Sequence, residues 1–206
     1  MKTLMNFLMM MVMLILCISP FAFGDHHEKG EATDHDAPMS EEAMMAAMAA
    51  AATPGEPHTQ LAAMVGDYLA EMTFFMDPSG EPQRYIMNVS RSMDLGGRVL
   101  VEDWEGDMMG MPFSGRSRTG YNNVTGQYWS TWADNWSTGV TLMRGTWDAD
   151  EDAMVLVGET AHPITGMPYT MKSITRDHGT VNSTMEMYED HGEGLVKSFS
   201  VKMIKR

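Results

Sequence analysis

From residue 66 onward the chain alternates apolar and polar residues with a period of two, whereas the stretch just before it has a helical period. Such alternation sends successive side chains to opposite faces of a strand, giving each segment one face for a core and one for water. Turn-forming clusters interrupt it at short intervals: Asp77-Pro78-Ser79-Gly80, Leu95-Gly96-Gly97, Asn122 to Gly126, Asp148 to Asp152 and Asp190-His191-Gly192-Glu193-Gly194. Gly, Asn and Asp there suit tight reversals between antiparallel neighbours. The pattern predicts ten strands, at about 67–76, 82–92, 98–106, 113–121, 127–134, 140–148, 153–160, 169–176, 181–188 and 195–204. A single sheet of that many strands exposes two edges unless it closes on itself. The predicted fold is therefore all-β, an antiparallel up-and-down barrel of about ten strands, with a two-layer sandwich as the alternative.

Ahead of the strands, Ser40 is placed to cap a helix that begins with Glu41 and Glu42, runs through Ala and Met to Ala52, and stops at Thr53-Pro54-Gly55. A shorter helix is expected from Pro57 to Val65, with Leu61, Met64 and Val65 on one face. Residues 39–65 thus read as an N-terminal helical segment and 66–206 as the barrel domain.

Residues 1–24 read as a signal peptide. Lys2 precedes the apolar run Phe7 to Ile18, then Ser19-Pro20 and the small-residue pattern Ala22-Phe23-Gly24, with cleavage expected after Gly24. The run is shorter than the ~20 residues that span a bilayer, so the expected location is periplasmic or secreted, with no membrane contact after cleavage. An uncleaved anchor is one alternative; lipidation at Cys17 is another, although Leu16 stands where a small residue is usual. Residues 25–38 are charged, contain His26, His27 and His35, and lack large apolar groups, as expected of a disordered leader.

Composition narrows the function classes. A chain of 206 residues suits one domain, and a net charge of −14 repels nucleic acid and anionic lipid. Cys17 is the only cysteine, so a chain cleaved after Gly24 has no disulfide, thiol nucleophile or cysteine-held metal. No phosphate-binding loop, dinucleotide fingerprint, serine elbow or zinc-protease helix is present, and no cofactor is predicted.

From Leu61 to the C-terminus the chain resembles a bacterial family of unknown function, DUF1579. The likeness rests on Gly66-Asp67-Tyr68, on Leu95-Gly96-Gly97-Arg98, and on Gly110-Met111-Pro112-Phe113-Ser114-Gly115 followed by Gly120-Tyr121-Asn122-Asn123-Val124-Thr125-Gly126. Ser130-Thr131-Trp132-Ala133-Asp134 and Ser137-Thr138-Gly139 extend it. Tyr68 stands where Trp is usual, and Ser117 and Asn122 replace Gly and Asp. The resemblance implies a calycin- or lipocalin-like barrel and carries no catalytic residue.

In an up-and-down sheet alternate turns share an end. One end collects the turns near 93–97, 122–126, 149–152 and 177–180 and receives the incoming helix, which is expected to plug it. The other collects Met108, Met109, Met111, Trp136, His162, Met167 and His191, and is the expected mouth for a small, mostly apolar ligand. Inward parity is assigned to Phe113, Gly115, Ser117, Thr119 and Tyr121 on one strand and to Tyr128, Ser130, Trp132 and Asp134 on the next, with Trp104 and Arg144 completing the lining. Arg144 is expected to pair with Asp134 or with an anionic ligand group. Two further functions remain open: haem or copper handling through His162, His191 and the Met rim, and catalysis with Asp134 as base and Tyr121 as hydrogen-bond donor. His178 falls at the opposite end, which argues against three-His zinc chemistry.

Overall fold

A computed structural model describes residues 39–75, 80–177, 179 and 182–206. The signal and leader segments, the Asp77-Pro78-Ser79 turn and His178 lie outside the described residues.

Helix α1, Glu41–Ala52, starts as its sequence requires: the Ser40 hydroxyl accepts from the Ala43 N–H at 3.2 Å, and two glutamates sit in the first turn. It buries none of its own residues. Its far end is tied down by Arg98, which donates to Ala52 O at 2.6 Å, and by Asn123, which donates to Thr53 O at 2.7 Å. Helix α2, Glu56–Ala63, turns His58 and Leu61 inward against β3 and β4. The His58 ring nitrogen accepts from Gly55 N at 3.0 Å, so this buried imidazole serves the helix start.

Ten strands follow: β1 Gly66–Phe74, β2 Gln83–Asp94, β3 Val99–Met108, β4 Met111–Asn122, β5 Gln127–Asp134, β6 Thr141–Asp148, β7 Ala153–Ala161, β8 Pro168–Arg176, β9 Asn182–Asp190 and β10 Val196–Lys205. Each pairs antiparallel with its sequence neighbours, and β1 pairs with β10, from Tyr68 opposite Lys205 to Phe74 opposite Phe199. The sheet is a closed barrel, which removes the sandwich alternative and leaves no free edge. Every strand boundary lies within two residues of its predicted position, because Gly and Asx residues set the turns and closure depends only on pairing in chain order.

Closure commits alternate residues to a shared interior. Two apolar clusters occupy it. One, built around Tyr68, Met87, Val89, Trp104, Phe113 and Val201, lies on β1–β4 and β10. The other, built around Leu61, Met64, Tyr128, Met143, Met154 and Leu156, draws mainly on β5–β7 and α2. Where β6 and β7 meet, the backbones come very close: a Cβ at Gly145 would stand 1.9 Å from the Val155 carbonyl oxygen. Backbone cannot yield as a flexible side chain does, so Gly145→Ala is expected to lower stability by about 3 kcal/mol. Urea unfolding of the two proteins measures this, and an unchanged midpoint would contradict the close approach.

Candidate functional site

The two clusters do not meet everywhere, and between them lies a cavity of about 210 Å³. It reaches from Leu61 and Met64, at the α2 end, to Trp132, Thr141 and Phe199. Eight methionines line it: Met64, Met72, Met143, Met154, Met171, Met185, Met187 and Met203. Thioether chains are slender and rotate easily, so a lining built from them adapts its shape to an occupant. Hydroxyls from Ser117, Thr119, Ser130, Thr141, Ser173 and Thr175 break the apolar surface.

One wall is aromatic. Trp132 stands edge-on to Trp104, with ring centres 5.9 Å apart, and stacks near-parallel to Phe113 at 6.3 Å. Gly115 makes this possible, since a Cβ there would lie 2.5 Å from the Trp132 ring. Asp134 fixes the arrangement: one carboxylate oxygen accepts from the Trp132 indole N–H at 2.8 Å and the other from Trp136 N at 2.9 Å.

The α2 end of the cavity is ionic. Arg91 on β2 faces inward between two carboxylates, donating from Nε to Glu102 on β3 and from Nη1 to Asp177 just beyond β8, each at 2.5 Å. Asp177 is fully buried and accepts a further bond from Gly179 N at 2.9 Å. Burial alone disfavours the Arg91 charge, but Glu102 and Asp177 outweigh it and hold the guanidinium above its ordinary range. Arg91 also lies over the Tyr68 ring at 4.6 Å, and the Tyr68 hydroxyl donates to Met64 O, so the charge cluster, the first strand and the helix plug form one contact network.

The structure brings together only part of the expected site. Trp104, Ser130 and Trp132 line the cavity. Tyr121 and Tyr128 belong instead to the α2 plug: Tyr128 donates to Gln60 at 2.8 Å, and Tyr121 meets His58 edge-on. Burial, chiefly, together with Tyr121 and Glu56, raises the Tyr128 pKa above its usual value. Asp134 pairs across the sheet with Gly115, six residues along β4 from Tyr121, roughly 20 Å of strand. A base and donor so far apart cannot serve one substrate atom. Arg144 is out of phase with Met143, which faces in, and lies on the outer surface beside Leu142 and Val157. It therefore neither lines the cavity nor pairs with Asp134 from within.

His162 and His191 approach more closely than two strand spacings suggest, with ring centres 5.9 Å apart and Tyr169 stacked on His191 at 4.5 Å. Burial, chiefly, and Glu189 raise the Tyr169 pKa. Their nitrogens are partly engaged: His162 Nδ1 accepts from Ile164 N and Thr165 N, and His191 Nε2 faces Glu189 at 3.1 Å. Among the described residues no three His, Cys, Asp or Glu side chains converge on a metal position. The rim methionines also separate from the site, since Met109, Met111 and Met167 are exposed while Met108 is buried in the first cluster.

Sequence reasoning missed Arg91, Glu102 and the strand methionines. The signal was present. Arg91 is in phase with Met87 and Val89, Glu102 is in phase with Leu100 and Trp104, and the turn at 95–98 sets the two charges directly opposite.

A closed ten-stranded barrel around a small, thioether-lined cavity is the class of protein this geometry defines. The chain belongs to the family described as "Protein of unknown function (DUF1579)", whose model matches residues 53–205. Among solved structures, the chain resembles the protein titled "Crystal Structure of Rv2717c from M. tuberculosis", with 14% identity and a TM-score of 0.51 over 74% of this chain and 99% of that one. That likeness is one of fold. No curated protein matches the chain.

Removing one partner of a buried ion cluster strands the other charges, so Arg91→Met is expected to cost about 3–5 kcal/mol. Asp103→Asn, which breaks the exposed pair with Arg116, should cost less than about 1 kcal/mol. Denaturation of both variants checks the contrast, and equal losses would contradict the assigned burial.

Proposed function

We propose that this is an exported binding protein that holds one small, mostly apolar molecule inside its barrel. The observation that carries the reading is the cavity of about 210 Å³ with its thioether and indole walls. An apolar cavity of ~150 Å³ takes up benzene, and drug-sized ligands occupy ~300–1,000 Å³. A guest of one ring with a short substituent fits this range far better than a macrocycle such as haem.

Export is supported by the signal-like residues 1–24 alone. No helix among the described residues is long and apolar enough to cross a membrane. Entry is expected from the end opposite α2, because α2 and its partners Tyr121 and Tyr128 occupy the other. A pre-formed hollow lined by adaptable side chains lowers the ordering cost of binding, and the hydroxyls supply orientation.

Native mass spectrometry of gently purified protein is expected to reveal a retained small molecule. Trp132→Ala, which removes most of one wall, should abolish its retention. Persistently empty wild-type protein that also takes up no added aromatic guest would contradict the proposal.

A further inference from the structure

We infer that the cavity selects a guest carrying a protonated amine, bound through the carboxylate of Glu102. This rests on the small-ligand reading above and sharpens it.

At the ionic end of the cavity one guanidinium, Arg91, is shared within hydrogen-bonding distance by two carboxylates, Glu102 and Asp177, and Lys205 lies further off, against the Tyr68 ring at 5.7 Å. The two acids are not equivalent. Asp177 is fully buried and uses one oxygen for Arg91 and the other for Gly179 N. Glu102 keeps an exposed fraction of 13%, lines the cavity, and engages only Oε1 in the hydrogen bonds among the described residues. Its Oε2 is the acceptor left for a guest. Ser117, directly opposite on β4, adds a hydroxyl to the same patch.

Charge decides which head group fits. An anionic guest would set a third negative group around a guanidinium already shared by two, in surroundings where such repulsion is poorly screened. A cation meets the unengaged oxygen of Glu102 with opposite charge and gains a charge-assisted hydrogen bond. The overall charge of −14 draws cations toward the protein from a distance. The body of the guest then lies among the methionines, so the ligand class is a small aryl or branched alkyl ammonium.

Three probes that share one ring and chain but differ in head group test this: phenethylamine, phenethyl alcohol and hydrocinnamate, titrated at neutral pH by calorimetry and tryptophan fluorescence. The amine should bind at least about tenfold more tightly than the alcohol, because only the amine adds an attraction between full charges to the hydrogen bond it donates to the carboxylate, and hydrocinnamate should bind worst. Glu102→Gln should weaken the amine by a similar factor and the alcohol by much less, so that the gap between the two probes narrows. Should that variant fold poorly, the order of the three probes on the wild-type protein decides the matter alone. Alcohol binding as tightly as the amine, or hydrocinnamate binding best, would overturn the charge assignment while leaving the cavity reading in place. Failure of all three to bind would remove both.

Discussion

The pairing of β1 with β10 is the constraint on which everything else depends. Once the first strand bonds to the last, no edge remains, and alternate residues of ten strands must share an enclosed interior. That interior has a size set by strand number rather than by the volume of the side chains pointing into it. A chain that sends slender methionines, serines and threonines inward therefore leaves space. The cavity lies where the aromatic cluster on β1–β4 and β10 and the methionine-rich cluster mainly on β5–β7 and α2 stop short of each other.

The two ends of the barrel do different physical work. At the helical end, Leu61 and Met64 cap the interior, Tyr68 bonds back to Met64, and Arg91 spans Glu102 and Asp177 across strands far apart in sequence. Burying that cluster is costly in itself, and it persists because each charge meets an opposite one at hydrogen-bonding distance. Asp177 continues the inward phase of Ser173 and so reaches Arg91 from the opposite side of the barrel, linking β2 to β8 through the interior. Toward the other end the groups are aromatic and thioether, with Asp134 holding Trp132 and Trp136 in place. A guest would thus meet a polar floor and an adaptable apolar wall.

Much of the fold was legible in the residues because turn chemistry is local. Leu95-Gly96-Gly97 and Asn122 to Gly126 mark reversals without reference to the rest of the chain. Parity on β4 and β5 was also legible, since Phe113, Ser117 and Thr119 turn inward opposite Ser130 and Trp132 as the alternation implies. Arg144 failed because its strand carries Gly145 at an inward position, where a missing side chain gives no apolar signal to set the phase. Tyr121 and Tyr128 had the right phase but the wrong depth, because α2 reaches far enough to claim them for the plug. Arg91 and Glu102 were overlooked for the opposite reason: a charged residue in step with apolar neighbours is easily taken for noise, although two of opposite sign, facing each other across a turn, compensate one another.

The central claim is that the barrel holds a real, mostly apolar hollow rather than a filled core. Diffraction from crystals pressurised with xenon, a gas that enters such spaces without needing any polar contact, addresses it most directly. The account predicts xenon density inside the barrel, bounded by Met143, Leu156, Trp104 and Trp132. An interior that takes up no xenon, with Met143 and Leu156 packed directly against Trp104 and Trp132, would contradict it.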